Sequence, residues 1–227
     1  MVARTDRRAK RRAPLSRDRV LRVAIRLADE GGFESLTMRN LGQELGVQAM
    51  SLYNHVANKD DIRDGIVDLV MREIEAPSNG ADWKAAIRQS AISAHEVLLR
   101  HPWASSLMMA TAGVSPARLR WMESLLGKLR EAGFSADLTH HAYHALDSLI
   151  TGFTLWQVNF PFETAEELAG MAEAFRRELP ADEFPYVAEH IEQHRAEPSP
   201  DEPSEFEFGL DLILDGLERI RDTSKAR

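Results

Sequence analysis

Between residues 48 and 55 the chain carries Gln48, Ser51, Tyr53, Asn54 and His55, five short or planar side chains that hydrogen-bond without a fixed charge. An ordinary solvated helix face is richer in Lys and Glu. This set suits phosphates and base edges of a nucleic acid. Arg39, ahead of it, can reach a guanine edge or a phosphate, and Lys59, behind it, can hold a phosphate. A second candidate chemistry lies at His140 and His144, whose i, i+4 spacing would put two imidazoles on one helix face. No HExxH pattern accompanies them, so a structural or pocket hydrogen-bonding role is favoured over metal ligation. His95 and His141 read the same way. The chain has no Cys, which excludes thiolate metal sites and cysteine nucleophiles. No GxSxG, P-loop, dinucleotide fingerprint or zinc motif occurs. The expectation is a protein that is not an enzyme and holds no cofactor and no metal.

The elements that must position these residues read as helices throughout. Glycine is scarce, 13 in 227 residues, and period-2 alternation is absent. Ser16 can cap a helix from Arg17 to about Glu30, which Gly31-Gly32 ends. Thr37 caps a short helix through Leu45, with Gly46 as its stop. A third short helix covers about Ala49 to His55, and Asn58 caps a fourth that runs to about Glu75. Residues 37–56, TMRNLGQELGVQAMSLYNHV, thus make a helix-turn-helix. Leu41, Leu45, Val47, Leu52 and Val56 form its apolar spine. A helical hairpin with a polar surface would show two short helices and a glycine turn as well.

Charge separates those alternatives. The whole chain has net charge −8 and a pI near 5.5, which argues against nucleic acid. Residues 1–59, however, hold twelve Lys/Arg against six Asp/Glu, net +6, and the remainder is net −14. The basic quarter includes an arm with Arg4, Arg7, Arg8, Lys10, Arg11 and Arg12. That distribution favours DNA over a plain hairpin. The positive N-terminus is not followed by an apolar stretch, and nothing approaches the roughly 18 apolar residues of a spanning helix. The expectation is a cytoplasmic protein with no membrane partner.

Residues 1–15 read as a basic disordered arm, 16–60 as the helix-turn-helix domain and 61–81 as a connecting helix and linker. The break at Ala76-Pro-Ser-Asn-Gly-Ala81 leads into a larger helical domain, 82–227. The fold class is all-α, a three-helix DNA-binding domain followed by a helical bundle, with about nine to ten helices.

Gly32-Phe33, Leu36-Thr37-Met38-Arg39, Leu45-Gly46-Val47, Ser51-Leu52-Tyr53-Asn54-His55-Val56 and Asn58-Lys59 together resemble the DNA-binding domain of TetR-family transcriptional regulators. His101-Pro102-Trp103, Leu129-Arg130-Glu131-Ala132-Gly133-Phe134 and Phe208-Gly209-Leu210-Asp211 resemble the C-terminal domain of the tetracycline-repressor subgroup. The resemblance implies a bacterial homodimeric repressor. Its partners would be double-stranded operator DNA, which it releases, and a small-molecule inducer of unknown identity. It places DNA contacts at Thr37, Met38, Arg39, Gln48, Ala49, Met50, Ser51, Tyr53, Asn54, His55 and Lys59. Two positions depart from a donor-rich pattern. Ala49 and Met50 cannot donate hydrogen bonds from their side chains but could touch a thymine methyl. Asn54 stands where the tetracycline repressor has an aromatic residue, which implies a different operator.

The last helix carries Phe206, Leu210, Ile213, Leu217 and Ile220 at alternating four and three spacing. On spacing alone this fits a dimer seam and an intramolecular core equally; the resemblance implies a dimer interface, shared with the long helix at 136–159. Trp103, Met108, Met109, Trp121, Leu125, His144 and Phe153 are the expected ligand-pocket residues. For any one of them plain core is the alternative. The family's magnesium-tetracycline histidines correspond to Arg72-Glu73-Ile74-Glu75 and Met108–Val114, which contain none, so that chelate is not the expected inducer. An α-helical enzyme and a helical protein-binding adaptor with a basic tail are the competing functions.

Overall fold

The computed structural model describes residues 14–80, 82–110, 115–160, 165–180, 182–193 and 203–225. The basic arm, the capping Thr164 and most of the loop 198–204 lie outside the described residues. The described residues hold eleven α-helices and no strand, one helix more than the upper end of the expected count. They divide into two compact units, Met1–Glu73 with Arg100–Leu119, and Ile74–Leu99 with Arg120–Arg227. The sequence break at 76–81 lies just past the first division. The return of residues 100–119 to the first unit has no counterpart in the sequence reading.

The first unit contains α1 (Arg17–Gly31), a 3-10 turn (Phe33–Ser35), α2 (Met38–Leu45), α3 (Ala49–Leu52), α4 (Lys59–Met71) and α6 (Pro102–Ala110). Its helix starts use side-chain caps. Ser16 accepts from the Arg19 N–H, Thr37 from Asn40 and Asn58 from Asp61. α1 packs on α2, α4 and α6, and α4 packs on α6. One carboxylate fastens α6. Asp29 Oδ1, near the end of α1, accepts from His101 Nδ1 at 2.8 Å and from Trp103 Nε1 at 2.7 Å. Trp103, Ala104 and Met108 are buried beside it.

The second unit is built from α5 (Trp83–Arg100) up to Leu99, α7 (Pro116–Glu131) from Arg120, α8 (Ala136–Val158), α9 (Ala165–Glu178), α10 (Pro185–Gln193) and α11 (Glu205–Lys225). Asp82 caps α5 through the Lys84 and Ala85 N–H groups, and Ser135 caps α8 through Leu138. Its core joins Ile87, Leu98, Leu125, Leu129, Leu146, Phe206 and Leu210. Trp83 meets Phe134 edge to face at 4.9 Å, with the Arg221 guanidinium over the indole. Outside this apolar centre, α5 and α11 are laced by charge. Arg88 bridges Glu207 and Asp211, and Lys84 bridges Asp215 and Glu218.

Candidate nucleic-acid interface

The α2–α3 pair is held by its spine. Leu41, Leu45, Leu52 and Val56 are each 3% exposed or less, while Val47 is half-buried. Truncating one such residue costs about 2–5 kcal/mol, against about 1 kcal/mol for a cap such as Thr37, so the spine sets the interhelical angle. Gly46 ends α2 in the left-handed region, φ 69°, ψ 37°. Its N–H and that of Val47 close on the Gln43 and Gly42 carbonyls. Gly42, which carries no signal in the sequence, is as necessary. A Cβ there would lie 3.0 Å from the Val47 carbonyl oxygen and 3.2 Å from the Ala49 nitrogen. Both distances are tighter than nearly all real Cβ contacts, so a side chain here would push the start of α3 off α2 by a few tenths of an ångström.

α3 is shorter than expected. It is α-helical over Ala49–Leu52, and residues 53–55 continue as a tighter turn in which His55 N–H bonds the Leu52 carbonyl at 2.8 Å. The turn keeps the polar residues outward. Thr37, Arg39, Gln48, Met50, Tyr53 and Asn54 are exposed, and Met38, Ala49, Ser51, His55 and Lys59 are half-buried. Met50 at 73% and Tyr53 at 46% are the exposed large apolar side chains of α3 and the turn after it. The eleven sequence-expected DNA positions thus all lie on or beside α2, α3 and the start of α4.

Ion pairing sets this surface apart from the rest of the unit. Arg17, Arg22, Arg26, Arg63 and Arg72 each have a carboxylate partner in the unit. Among the described residues Arg39 has no ion pair, and Lys59 has only the Phe33 ring face, 4.6 Å away. The nearby acids are occupied from behind. Glu44 holds Arg26 at 2.6 Å and Asp60 holds Arg63 at 2.9 Å. Asp61 accepts from the Ala57 N–H at 2.8 Å and from Arg17 at 2.6 Å. Those bonds, the backbone one first, hold its carboxyl below the usual carboxylate range. The result is two open cations and an unpartnered set of neutral donors and acceptors on one face, the composition a phosphate backbone and base edges require.

The other expected residues scatter. Trp103 and Met108 are buried and Met109 exposed in the first unit. In the second unit Leu125 is buried, Trp121 donates its Nε1–H to Ser90 Oγ at 3.0 Å, and Phe153 is half-buried. His144 is exposed, 4.5 Å ring to ring from His140, and among the described residues no group of three metal-ligating side chains gathers. On α11, Phe206, Leu210 and Leu217 are buried within the chain's own unit, Ile213 is half-buried, and Ile220 is 53% exposed. Phe208 and Leu212, outside the expected seam, are exposed beside it. The helix is apolar on two faces, and the expected seam follows the inward one except at its end, Ile220.

Comparison with known proteins bears on the whole chain. Residues 20–66 match the family described as bacterial regulatory proteins, tetR family, and residues 76–221 match the tetracyclin repressor-like C-terminal domain. The HTH-type transcriptional repressor DrrR1 of Streptomyces coeruleorubidus is 32% identical, over 94% of this chain and 82% of the repressor. The class C tetracycline repressor protein of Escherichia coli is 29% identical, over 92% of this chain and 94% of its own. Among solved structures, ActR of Streptomyces coelicolor in complex with actinorhodin superposes with a TM-score of 0.75 at 28% identity. That match covers 92% of this chain and 99% of ActR.

Proposed function

This chain belongs to the tetR family of bacterial regulatory proteins, transcriptional regulators rather than enzymes, and from that premise we propose a homodimeric cytoplasmic repressor that a small molecule releases from a palindromic operator. The observation that carries the reading is the face of α2 and α3, where Arg39 and Lys59 stand without carboxylate partners among neutral hydrogen-bonding side chains. Gln48, Ser51, Tyr53 and Asn54 read base edges, with Ala49 and Met50 against thymine methyls. Thr37, Met38, Arg39, His55 and Lys59 hold the flanking backbone.

One such module reads few base pairs, and a two-fold copy reads a palindrome. α8 and α11, which pack on each other, supply a surface for the second copy. It joins Trp156 with Phe208, Leu212 and Ile220, all at least half exposed. Gly152 and Gly216 lie on the same two helices, and a Cβ at either would meet nothing within 4 Å in one chain.

The second unit binds the inducer. ActR, bound to actinorhodin in its solved structure, supports this. Magnesium-tetracycline is not that inducer, because Arg72–Glu75 and Met108–Ala110 offer no histidine. Release requires the ligand to favour a conformation in which the recognition helices no longer fit successive grooves. Residues 100–119 are the covalent route for that change. They continue from α5 and into the rest of α7, yet their side chains bind Asp29.

Selection of bound duplexes from a random pool tests the reading. A palindrome with half-sites about one helical turn apart is expected. Enrichment of no sequence, or of an asymmetric one, rejects it.

A further inference from the structure

The second unit contains a cavity of about 310 Å3, walled by His95 of α5, by Phe153, Trp156 and Gln157 near the end of α8, by Phe160 just after it, and by Glu205 and Phe206 at the start of α11. Of the sequence-expected pocket residues only Phe153 lies here. The walls are rings. His95 stacks on Phe206 at 4.0 Å with the planes 12° apart, and Phe153 meets both edge-on or tilted at 5.7 Å. Trp156 leans on Phe153 at 5.5 Å and on Phe160 at 4.8 Å. Such walls favour a flat, π-bearing occupant, which gains offset or edge contacts that an aliphatic one does not.

The polar contribution has a fixed direction. The Ile150 carbonyl can only accept, and it takes the Thr154 hydroxyl proton at 2.6 Å. Thr154 Oγ1, fully buried, therefore accepts from His95 Nδ1 at 2.8 Å. So Nδ1 carries the hydrogen. Burial, partly offset by Gln157 nearby, pushes the imidazole below its ordinary range and so favours the neutral ring. Nε2 is then a lone-pair acceptor. Gln157, beside it on the cavity wall, adds an amide carbonyl that also accepts. His95 and Gln157 thus each bring an acceptor to the cavity wall. The one carboxyl on the lining, Glu205, is an acceptor too when ionised.

The geometry points to a planar aromatic ligand that donates a hydrogen bond, through a phenolic hydroxyl or its equivalent, to the His95–Gln157 pair. Anionic ligands are disfavoured by the Nε2 lone pair and by the Glu205 carboxylate on the lining. The inference rests on the reading of the second unit as the inducer-binding part, and it names the ligand class.

The test is calorimetric titration of the full chain, without DNA, using 2-naphthol, its methyl ether 2-methoxynaphthalene, and 2-naphthoate. All three keep the flat rings, and only 2-naphthol can donate. 2-Naphthol is expected to bind about ten-fold tighter than the ether, and naphthoate weakest. His95→Asn keeps a donor for Thr154 and removes the Nε2 acceptor. Combined with Gln157→Leu, it should leave 2-naphthol and the ether with equal affinity. Gln157→Leu alone, at an exposed position, should narrow the gap and serves if the double variant does not fold. Equal binding of the two compounds to the unaltered chain, a preference that survives the double variant, or no binding of 2-naphthol overturns the inference. Operator binding is measured separately. A selected palindrome with no naphthol binding sinks this site alone. Naphthol binding with no operator selected sinks the regulatory reading and leaves the site standing.

Discussion

Two of the surfaces that expose large apolar side chains differ in what surrounds them. On α3 and the turn after it, Met50 and Tyr53 stand among neutral hydrogen-bonding groups and two cations without carboxylate partners. On α8 and α11, Trp156, Phe208, Leu212 and Ile220 stand beside a ladder in which Arg88 and Lys84 already hold four carboxylates. Exposed hydrophobicity alone therefore says that a partner exists and not which one. Open cations call for a polyanion. Charges neutralised within the chain, flanking an apolar stripe, suit a second copy of the same chain.

The largest effect should come from attacking the second surface. Phe208→Glu with Leu212→Glu would place like charges across a two-fold interface, giving a monomer by sedimentation and an operator affinity lower by about 10²–10⁴-fold as bivalency is lost. A dimer that survives would break the comparison. Next, Tyr53→Ala should weaken operator binding about ten- to a hundred-fold while sedimentation stays dimeric. Gly46→Val puts a β-branched residue at φ 69° and should cost about 1–2 kcal/mol, read as a lower melting temperature. Lys59→Ala should weaken all duplexes alike and reduce the magnitude of the log–log salt slope by about one per half-site, whereas dimerisation should stay insensitive to salt.

The smallest effect concerns pH. The Asp61 carboxyl is held low by the Ala57 N–H and by Arg17, so its stabilisation is fully present above the unfolded carboxylate range. It is lost as pH falls through the lowered folded value. Asp61→Asn should flatten that acid limb of the melting curve and leave neutral-pH DNA binding nearly unchanged. An unaltered limb would show that Asp61 does not carry it.

Much of the recognition module was legible because its determinants are local. The caps Thr37 and Asn58, the stop at Gly46 and the spine Leu41, Leu45, Leu52 and Val56 are all set within twenty-odd residues, and the chain uses them as the spacing implies. The second unit was less legible for two physical reasons. α11 is apolar on two faces, so the spacing gave a seam in which Phe206, Leu210 and Leu217 are buried, Ile213 is half-buried and Ile220 is exposed, and it could not say that Phe208 and Leu212 look outward. The His95–Thr154 bond joins residues 59 apart, and neither carries a local mark of the other. Gly42 was missed because its role is an approach by another segment's backbone, which no spacing within its own helix reports.

The grip of Asp29 on His101 and Trp103 has a consequence for how the protein is made. The DNA-reading unit is not contiguous in sequence, since it needs residues 100–119 as well as the first 73. A ribosome must therefore complete α5, a helix of the other unit, before the buried faces of α1 and α4 receive Trp103, Ala104 and Met108. At typical synthesis speeds that interval is on the order of a few seconds. Throughout it the nascent α1–α4 segment exposes apolar surface that the finished unit hides. A fragment cut at the 76–81 linker would remain permanently in that unfinished condition.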